Sequence, residues 1–70
     1  MSVSSMVHVD FNKKIQDVQV QKGASVEDVL RSMGLYPDAH IVLRGKMPVP
    51  MTEIVIDGEQ LRVIKVASGG

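Results

Sequence analysis

One segment of the sequence carries the signals that begin, sustain and end a helix. Ser25 is a suitable N-cap, because its hydroxyl can accept a backbone N–H of the first helical turn. Gly34 can adopt the left-handed conformation that closes a helix, and Pro37 prevents its continuation. The sequence therefore predicts one amphipathic helix, whose apolar stripe must be buried against another element. The stripe recurs at helical spacing and consists of Val26, Val29, Leu30 and Met33.

Alternating apolar and polar residues on both sides of this helix predict β-strands. The predicted strands are 6–11, 15–21, 40–44 and 59–66. Residues 47–50 predict at most a short edge strand, because Pro48 and Pro50 lack N–H groups. A hairpin, one crossing helix and further strands indicate a mixed sheet with the helix on one face. The side chains expected to face the helix are Val7, Val9, Ile41, Leu43, Leu61 and Val63.

Composition restricts the function before any motif is considered. The 70 residues make one small domain, and eight basic side chains balance eight acidic ones. This balance argues against a nucleic-acid-binding protein, and the absence of cysteine excludes a disulfide framework. No apolar run approaches the roughly 20 residues that a membrane span requires. We therefore expect a monomeric, cytoplasmic protein that binds neither nucleic acid nor a membrane. The domain is expected at 6–66, between a flexible polar tail at 1–5 and a flexible tail at 67–70.

The final third of the chain carries a recognisable series of motifs. The stretch "VLRGKMPVP" is followed by "IDGEQLRVIKVASGG", which ends on two glycines. Together with the helix "SVEDVLRSMGL", this order resembles the β-grasp fold of ubiquitin-like proteins. More narrowly, it is similar to the ThiS/MoaD sulfur carriers and the small archaeal modifier proteins. The resemblance covers about 6–70. Ubiquitin has basic, leucine-rich residues before its glycines, whereas Ala67 and Ser68 are small and neutral, which favours the sulfur-carrier and archaeal members.

This resemblance implies a fold and a chemistry. The fold is α+β: a β-grasp with a mixed four- to five-stranded sheet and one helix packed across one face. The chemistry belongs to the Gly70 carboxylate, which an activating (ThiF/MoeB-like) enzyme adenylates with ATP and Mg²⁺. Gly70 then forms a thiocarboxylate for molybdopterin, thiamin or tRNA thiolation, or an isopeptide bond to a target lysine, or both. Ala67, Ser68 and Gly69 extend the tail that enters the enzyme's channel, where the missing Cβ of glycine permits close approach.

The resemblance thus implies a carrier or modifier, not an enzyme. Its partners are the activating enzyme and either a sulfur-accepting enzyme or lysine-bearing target proteins. The chain is expected to bind no cofactor and no metal, since His8 and His40 are isolated in the sequence. For His40 the simpler expectation is a surface position.

A second feature of the sequence concerns how partners are bound. Val42, Ile64 and Val66 fall on the strand face opposite the residues expected to face the helix, and Arg44 and Arg62 flank them. If that face is open, these five residues form a partner-binding patch. The alternative function is a non-covalent β-grasp interaction module with an inert tail.

A modifier can also accept a copy of itself on a lysine. Lys46 follows Gly45 in a predicted turn and is the candidate acceptor, although an ordinary solvated lysine is the simpler interpretation. Four other lysines compete equally with it: Lys13, Lys14, Lys22 and Lys65.

Overall fold

The computed structural model of the chain describes residues 4–66. It contains five strands, one α-helix and a single turn of 3₁₀ helix. These elements are β1 (Ser4–Phe11), β2 (Lys14–Gln21), α1 (Val26–Ser32), the 3₁₀ turn (Pro37–Ala39), β3 (His40–Arg44), β4 (Met47–Val49) and β5 (Gln60–Lys65). The order matches the predicted β-grasp, and the mixed sheet with one helix confirms the α+β fold class. Residues 67–70, the predicted tail, lie outside the described part of the chain.

The strands form one sheet in the order β2-β1-β5-β3-β4. The central strands β1 and β5 run parallel, with Val9 opposite Leu61, and all other neighbouring strands are antiparallel. Because β5 lies between β1 and β3, the last strand joins the two hairpins within the sheet. Strand β1 begins at Ser4 rather than at the predicted Met6, and Ser5 is buried there.

A two-residue turn joins β1 to β2. Phe11 pairs with Lys14, and Asn12 and Lys13 between them have φ angles of 56° and 65°. Two successive positive φ angles are typical of the type I′ turn, whose twist matches that of the flanking strands. Asparagine tolerates this backbone region, but lysine rarely occupies it. Lys14, expected in the interruption between the strands, is the first residue of β2.

The helix begins and ends where the sequence predicts. The Ser25 hydroxyl accepts the Asp28 N–H at 3.3 Å, and the Asp28 carboxylate accepts the Ser25 N–H at 2.9 Å, which completes a capping box. At the other end Gly34 has a φ of 76°, and the Leu35 N–H donates to the Leu30 carbonyl at 2.9 Å. This is the Schellman closure, which satisfies a carbonyl that has no partner within the helix.

The core lies between α1 and one face of the sheet. Leu30 and Leu61 are its largest fully buried side chains. Four of the six sheet residues predicted to face the helix do so: Val7, Val9, Leu61 and Val63. Other buried apolar residues complete the core: Val18, Ala24, Val26, Val29, Val42 and Val55.

The predicted orientation of β3 is wrong. Val42 is 1% exposed and lies in the core, whereas Ile41 is 44% exposed and Leu43 is half-buried on the opposite face. The register decides this, because Val42 pairs with Val63, which faces the helix, and Ile41 pairs with Ile64. Three consecutive apolar residues give no preference between the two faces, so the pairing partner sets the orientation.

His40 is also buried, contrary to the surface position expected from the sequence. It is 8% exposed, and its Nδ1 lies 2.8 Å from the Tyr36 carbonyl oxygen. The His40 ring packs edge-to-face on Phe11, with 5.5 Å between ring centroids. A backbone carbonyl partner and an aromatic neighbour explain how a polar ring is accommodated at the start of β3. Among residues 4–66, no helix is long and apolar enough to cross a membrane.

Candidate functional site

The predicted reactive tail follows directly on a residue whose position is fixed. Strand β5 ends at Lys65, and the Val66 N–H donates to the Ala39 carbonyl oxygen at 2.8 Å. Because Ala39 ends the 3₁₀ turn before β3, this bond ties the start of the tail to the rest of the fold. Ala67, Ser68, Gly69 and Gly70 themselves lie outside the described residues, so their predicted role stays a prediction.

An apolar surface lies beside this point, on the sheet face opposite the helix. Ile41 and Ile64 are cross-strand partners, and each is 44% exposed. Leu43 lies on the same face of β3 and is half-buried, and Val66, two residues beyond Ile64, is 38% exposed. We call Ile41, Leu43, Ile64 and Val66 the outer apolar patch. Adjacent exposed apolar side chains of this kind are typical of partner-binding surfaces.

The outer apolar patch overlaps the predicted partner-binding residues only in part. Ile64 and Val66 are exposed as expected, and Arg62 lies on the same face, in register with Leu43. Val42 is excluded from the patch because it is buried in the core. Ile41 and Leu43 take its place. Sequence alternation missed them because it assigns the two faces of β3 equally well, and only the pairing with β5 distinguishes the faces.

Arg44 is not part of the patch either, because its side chain turns toward the loop before β5. Its Nε donates to Glu59 Oε1 at 2.7 Å, and its Nη2 to Glu59 Oε2 at 3.2 Å. Its Nη1 donates to Glu53 Oε2 at 2.6 Å. The Glu59 carboxylate also accepts the Ile56 N–H at 2.6 Å. Arg44 therefore has a structural role, in which it fixes 53–59 against β3.

The electrostatic effect on Arg44 follows from this geometry. The hydrogen bonds to Glu59, and then to Glu53, raise the pKa of Arg44 above its usual value. A group whose pKa is raised in the folded state keeps its stabilising charge below its ordinary pKa and loses it only as the pH rises beyond that value. The arginine therefore stays charged throughout the range in which proteins are studied.

Lys46, the predicted conjugation acceptor, lies in the turn between β3 and β4 and is exposed. That turn follows the end of β3, whereas the tail departs beside the start of β3. All five lysines are exposed, so exposure does not distinguish between them.

The described residues show no grouping that suggests catalysis or metal binding. His8 Nδ1 lies 2.6 Å from Asp17 Oδ1 on the outer face, as an isolated exposed pair. Within residues 4–66, the histidine, aspartate and glutamate side chains form no group of three or more that could hold a metal ion.

Comparison with known proteins places these features in a family. The family model described as Small archaeal modifier protein 2 matches residues 1–67. An uncharacterised protein of Archaeoglobus fulgidus is 32% identical over 62 residues, which cover 89% of this chain and 90% of that protein.

Two solved structures share the fold at low sequence identity. The ubiquitin of Caldiarchaeum subterraneum superposes with a TM-score of 0.71 at 19% identity, covering 96% of this chain and 99% of that one. An N-terminal ubiquitin-like domain solved in solution superposes with a TM-score of 0.77 at 13% identity, covering 100% of this chain and 82% of that one. The protein has a ubiquitin-like β-grasp fold, and the chain belongs to the small archaeal modifier protein 2 family.

Proposed function

We propose that this protein is a ubiquitin-like modifier and sulfur carrier that acts through the Gly70 carboxylate. The observation that carries the proposal is the match to the small archaeal modifier family over nearly the whole chain, combined with the Gly69–Gly70 sequence that follows the last strand. The family supports a carrier that is the substrate of another enzyme. The described residues offer surfaces for such an enzyme.

In the proposed reaction, a carboxylate oxygen of Gly70 attacks the α-phosphorus of ATP and displaces pyrophosphate. The resulting acyl-adenylate is attacked at its carbonyl carbon by hydrosulfide, which gives a thiocarboxylate, or by a lysine amine, which gives an isopeptide bond, and AMP leaves in either case. The activating enzyme binds the ATP and Mg²⁺, so this chain contributes only the acyl group and the surface by which it is held. Glycine suits this position because it has no Cβ to shield the carbonyl or to obstruct a narrow channel.

The outer apolar patch is the proposed docking surface for the activating enzyme. Its residues on β3 and β5 lie next to Val66, from which the tail departs. An enzyme that contacts Ile41 and Ile64 is thus positioned to receive the tail. Binding of a rigid surface orients the reactive group, and this lowers the entropic cost of the subsequent step.

A single assay tests the adenylation step. The wild-type chain is incubated with a purified archaeal adenylating enzyme, ATP and Mg²⁺, and ATP–pyrophosphate exchange is measured. Exchange is expected with the wild type, to be lost on deletion of Gly69 and Gly70, and to be reduced far more by Gly70→Val than by the smaller Gly70→Ala. Full cellular activity of the deletion variant would instead support the non-covalent interaction module.

Intact-mass analysis of the protein purified from its own cells distinguishes the two fates of Gly70. One oxygen-to-sulfur exchange at the C-terminus identifies the sulfur carrier, and attachment to other proteins that survives boiling identifies the modifier. If the chain is found attached to a copy of itself, peptide mapping locates the acceptor. Lys46 is the acceptor predicted from the sequence, and Lys46→Arg should then remove that linkage.

A further inference from the structure

The charged side chains of this protein sum to zero, but the basic and acidic ones are unevenly distributed over the fold. The chain has eight basic and eight acidic side chains. Phe11 pairs with both Lys14 and Val63, so the β1–β2 turn lies beside the last residues of β5, where the tail departs. We call this the tail end of the sheet. Its basic side chains come from that turn, from the first residue of β2 and from β5, and they are Lys13, Lys14, Arg62 and Lys65.

Two acidic side chains lie at the same end. Asp10 lies opposite Arg62, with 3.9 Å between Oδ2 and Nε, so these two charges offset one another. Asp38 precedes Ala39, whose carbonyl oxygen accepts the Val66 N–H. Three basic side chains at this end outnumber the single acidic Asp38. They are Lys13, Lys14 and Lys65, which are exposed and make no ion pair within residues 4–66. The side chains of the tail end therefore carry a net positive charge.

The rest of the molecule carries the opposite sign. Since the chain has eight charges of each kind, six acidic and four basic side chains remain elsewhere. Two of these four basic side chains are paired with carboxylates, Arg44 with Glu53 and Glu59 and Arg31 with Glu27. A neutral protein is thus electrostatically polarised, with its positive end where the tail leaves.

The backbone at Lys13 is independent evidence that the positive end has a role beyond folding. Lys13 has a φ of 65° in a turn where glycine is the favoured second residue. A lysine there costs stability that a glycine would not, and its side chain is exposed to solvent. Strained backbone that folding does not require is typical of positions that serve binding.

We propose that the tail end is a positively charged docking rim that pairs with an acidic protein surface at the entrance to the site that receives the tail. This inference rests on the proposed function and names the charge of the partner. A protein surface fits better than a nucleic acid, because the rim adjoins the outer apolar patch and the whole chain has no basic excess. Exposed rim charges act mainly on the association rate, and they orient the protein with its tail toward the partner.

Two double variants of equal net charge test the rim. Lys13→Gln/Lys14→Gln removes two charges at the tail end, and Lys22→Gln/Arg31→Gln removes two elsewhere. The kcat/KM for ATP–pyrophosphate exchange with the archaeal adenylating enzyme is measured at low and high salt. The tail-end variant should be about three- to tenfold slower at low salt and equal to wild type at high salt, because salt screens exposed charges. Equal kcat/KM values for the two variants, or a loss of kcat/KM that persists at high salt, would contradict the proposed docking rim.

A second measurement tests whether the docking rim binds acidic chains, and it does not depend on the proposed function. Absence of exchange with the wild-type chain rejects adenylation, not the charged surface. The wild-type protein is therefore titrated with poly-L-glutamate, and backbone amide shifts are followed by NMR. Shifts should centre on 12–14 and 62–66 and should shrink in Lys13→Gln/Lys14→Gln. Shifts spread evenly over the surface, or centred on 22–31, would show that this end has no preference for acidic chains.

Discussion

Arg44 donates hydrogen bonds to both oxygens of the Glu59 carboxylate, with its Nε 2.7 Å from Oε1 and its Nη2 3.2 Å from Oε2. Arg44 ends β3, and Glu59 immediately precedes β5, so this contact fixes the loop that leads into the last strand. The Glu59 side chain is only 11% exposed, which makes its loss of a partner costly. The contact connects two strands that are neighbours in the sheet but distant in the sequence.

The first prediction concerns this contact. Arg44→Met should lower the free energy of unfolding by about 1–3 kcal/mol, because it leaves a nearly buried carboxylate without its charged partner. Urea denaturation measures the effect. The matched control is Arg62→Met, whose partner Asp10 is 3.9 Å away and whose own side chain is 65% exposed. The control should change the stability by less than about 0.5 kcal/mol, and a similar loss in both variants would contradict the role given to Arg44.

The second prediction concerns the β1–β2 turn. Lys13→Gly should raise the free energy of unfolding by roughly 0.5–1 kcal/mol, because glycine adopts a positive φ without steric cost. Thermal unfolding followed by circular dichroism provides the measurement. Lys14→Gly is the control, since Lys14 is the first residue of β2, where glycine should be neutral or destabilising. A destabilised Lys13→Gly variant would mean that the lysine side chain stabilises the turn by a contact that the geometry does not show.

The third prediction contrasts the two faces of β5. Leu61 is 1% exposed, and Leu61→Ala should cost about 2–5 kcal/mol, because it removes buried methyl groups and leaves a cavity. Ile64, on the opposite face, is 44% exposed, and Ile64→Ala should cost less than about 1 kcal/mol. Urea midpoints of both variants at equal protein concentration test this contrast. Equal losses would mean that the outer face is covered in solution, for example by a second copy of the chain.

The fourth prediction concerns docking. Ile64→Ser should raise the KM for ATP–pyrophosphate exchange about tenfold or more, because it removes an apolar contact at the centre of the outer apolar patch. Ile56→Ser is the matched control, since Ile56 is 59% exposed and lies in the loop before β5, outside the patch. Its KM should match that of the wild type. If Ile56→Ser raised the KM as much as Ile64→Ser, the docking surface would have to lie elsewhere.

The sequence predicts the helix well because the helix signals are local. Ser25 and Asp28 form their capping box within one turn, and Gly34 ends the helix two residues beyond Ser32. The relevant interactions span only a few residues, so they can be read directly along the chain. The same is true of the hairpin strands, although their exact ends differ from those predicted.

The face of β3 and the partners of Arg44 could not be predicted in this way. Ile41, Val42 and Leu43 are all apolar, so alternation does not decide which of them is buried. Their orientation follows from pairing with β5, about twenty residues further along the chain. The sequence therefore predicts the partner-binding patch on the correct strands, but it includes the buried Val42 and omits the exposed Ile41 and the half-buried Leu43. The position of the patch depends on a register, which is a non-local property.

The central place of β5 has a consequence for biosynthesis. The β1–β2 and β3–β4 hairpins do not pair with each other, and each pairs with β5 instead. A nascent chain that still lacks 60–65 outside the ribosome can form local turns and the helix but cannot close the sheet. The outer apolar patch draws residues from both β3 and β5, so a partially translated chain cannot present it. An enzyme that recognises this surface can therefore select only molecules synthesised through the last strand.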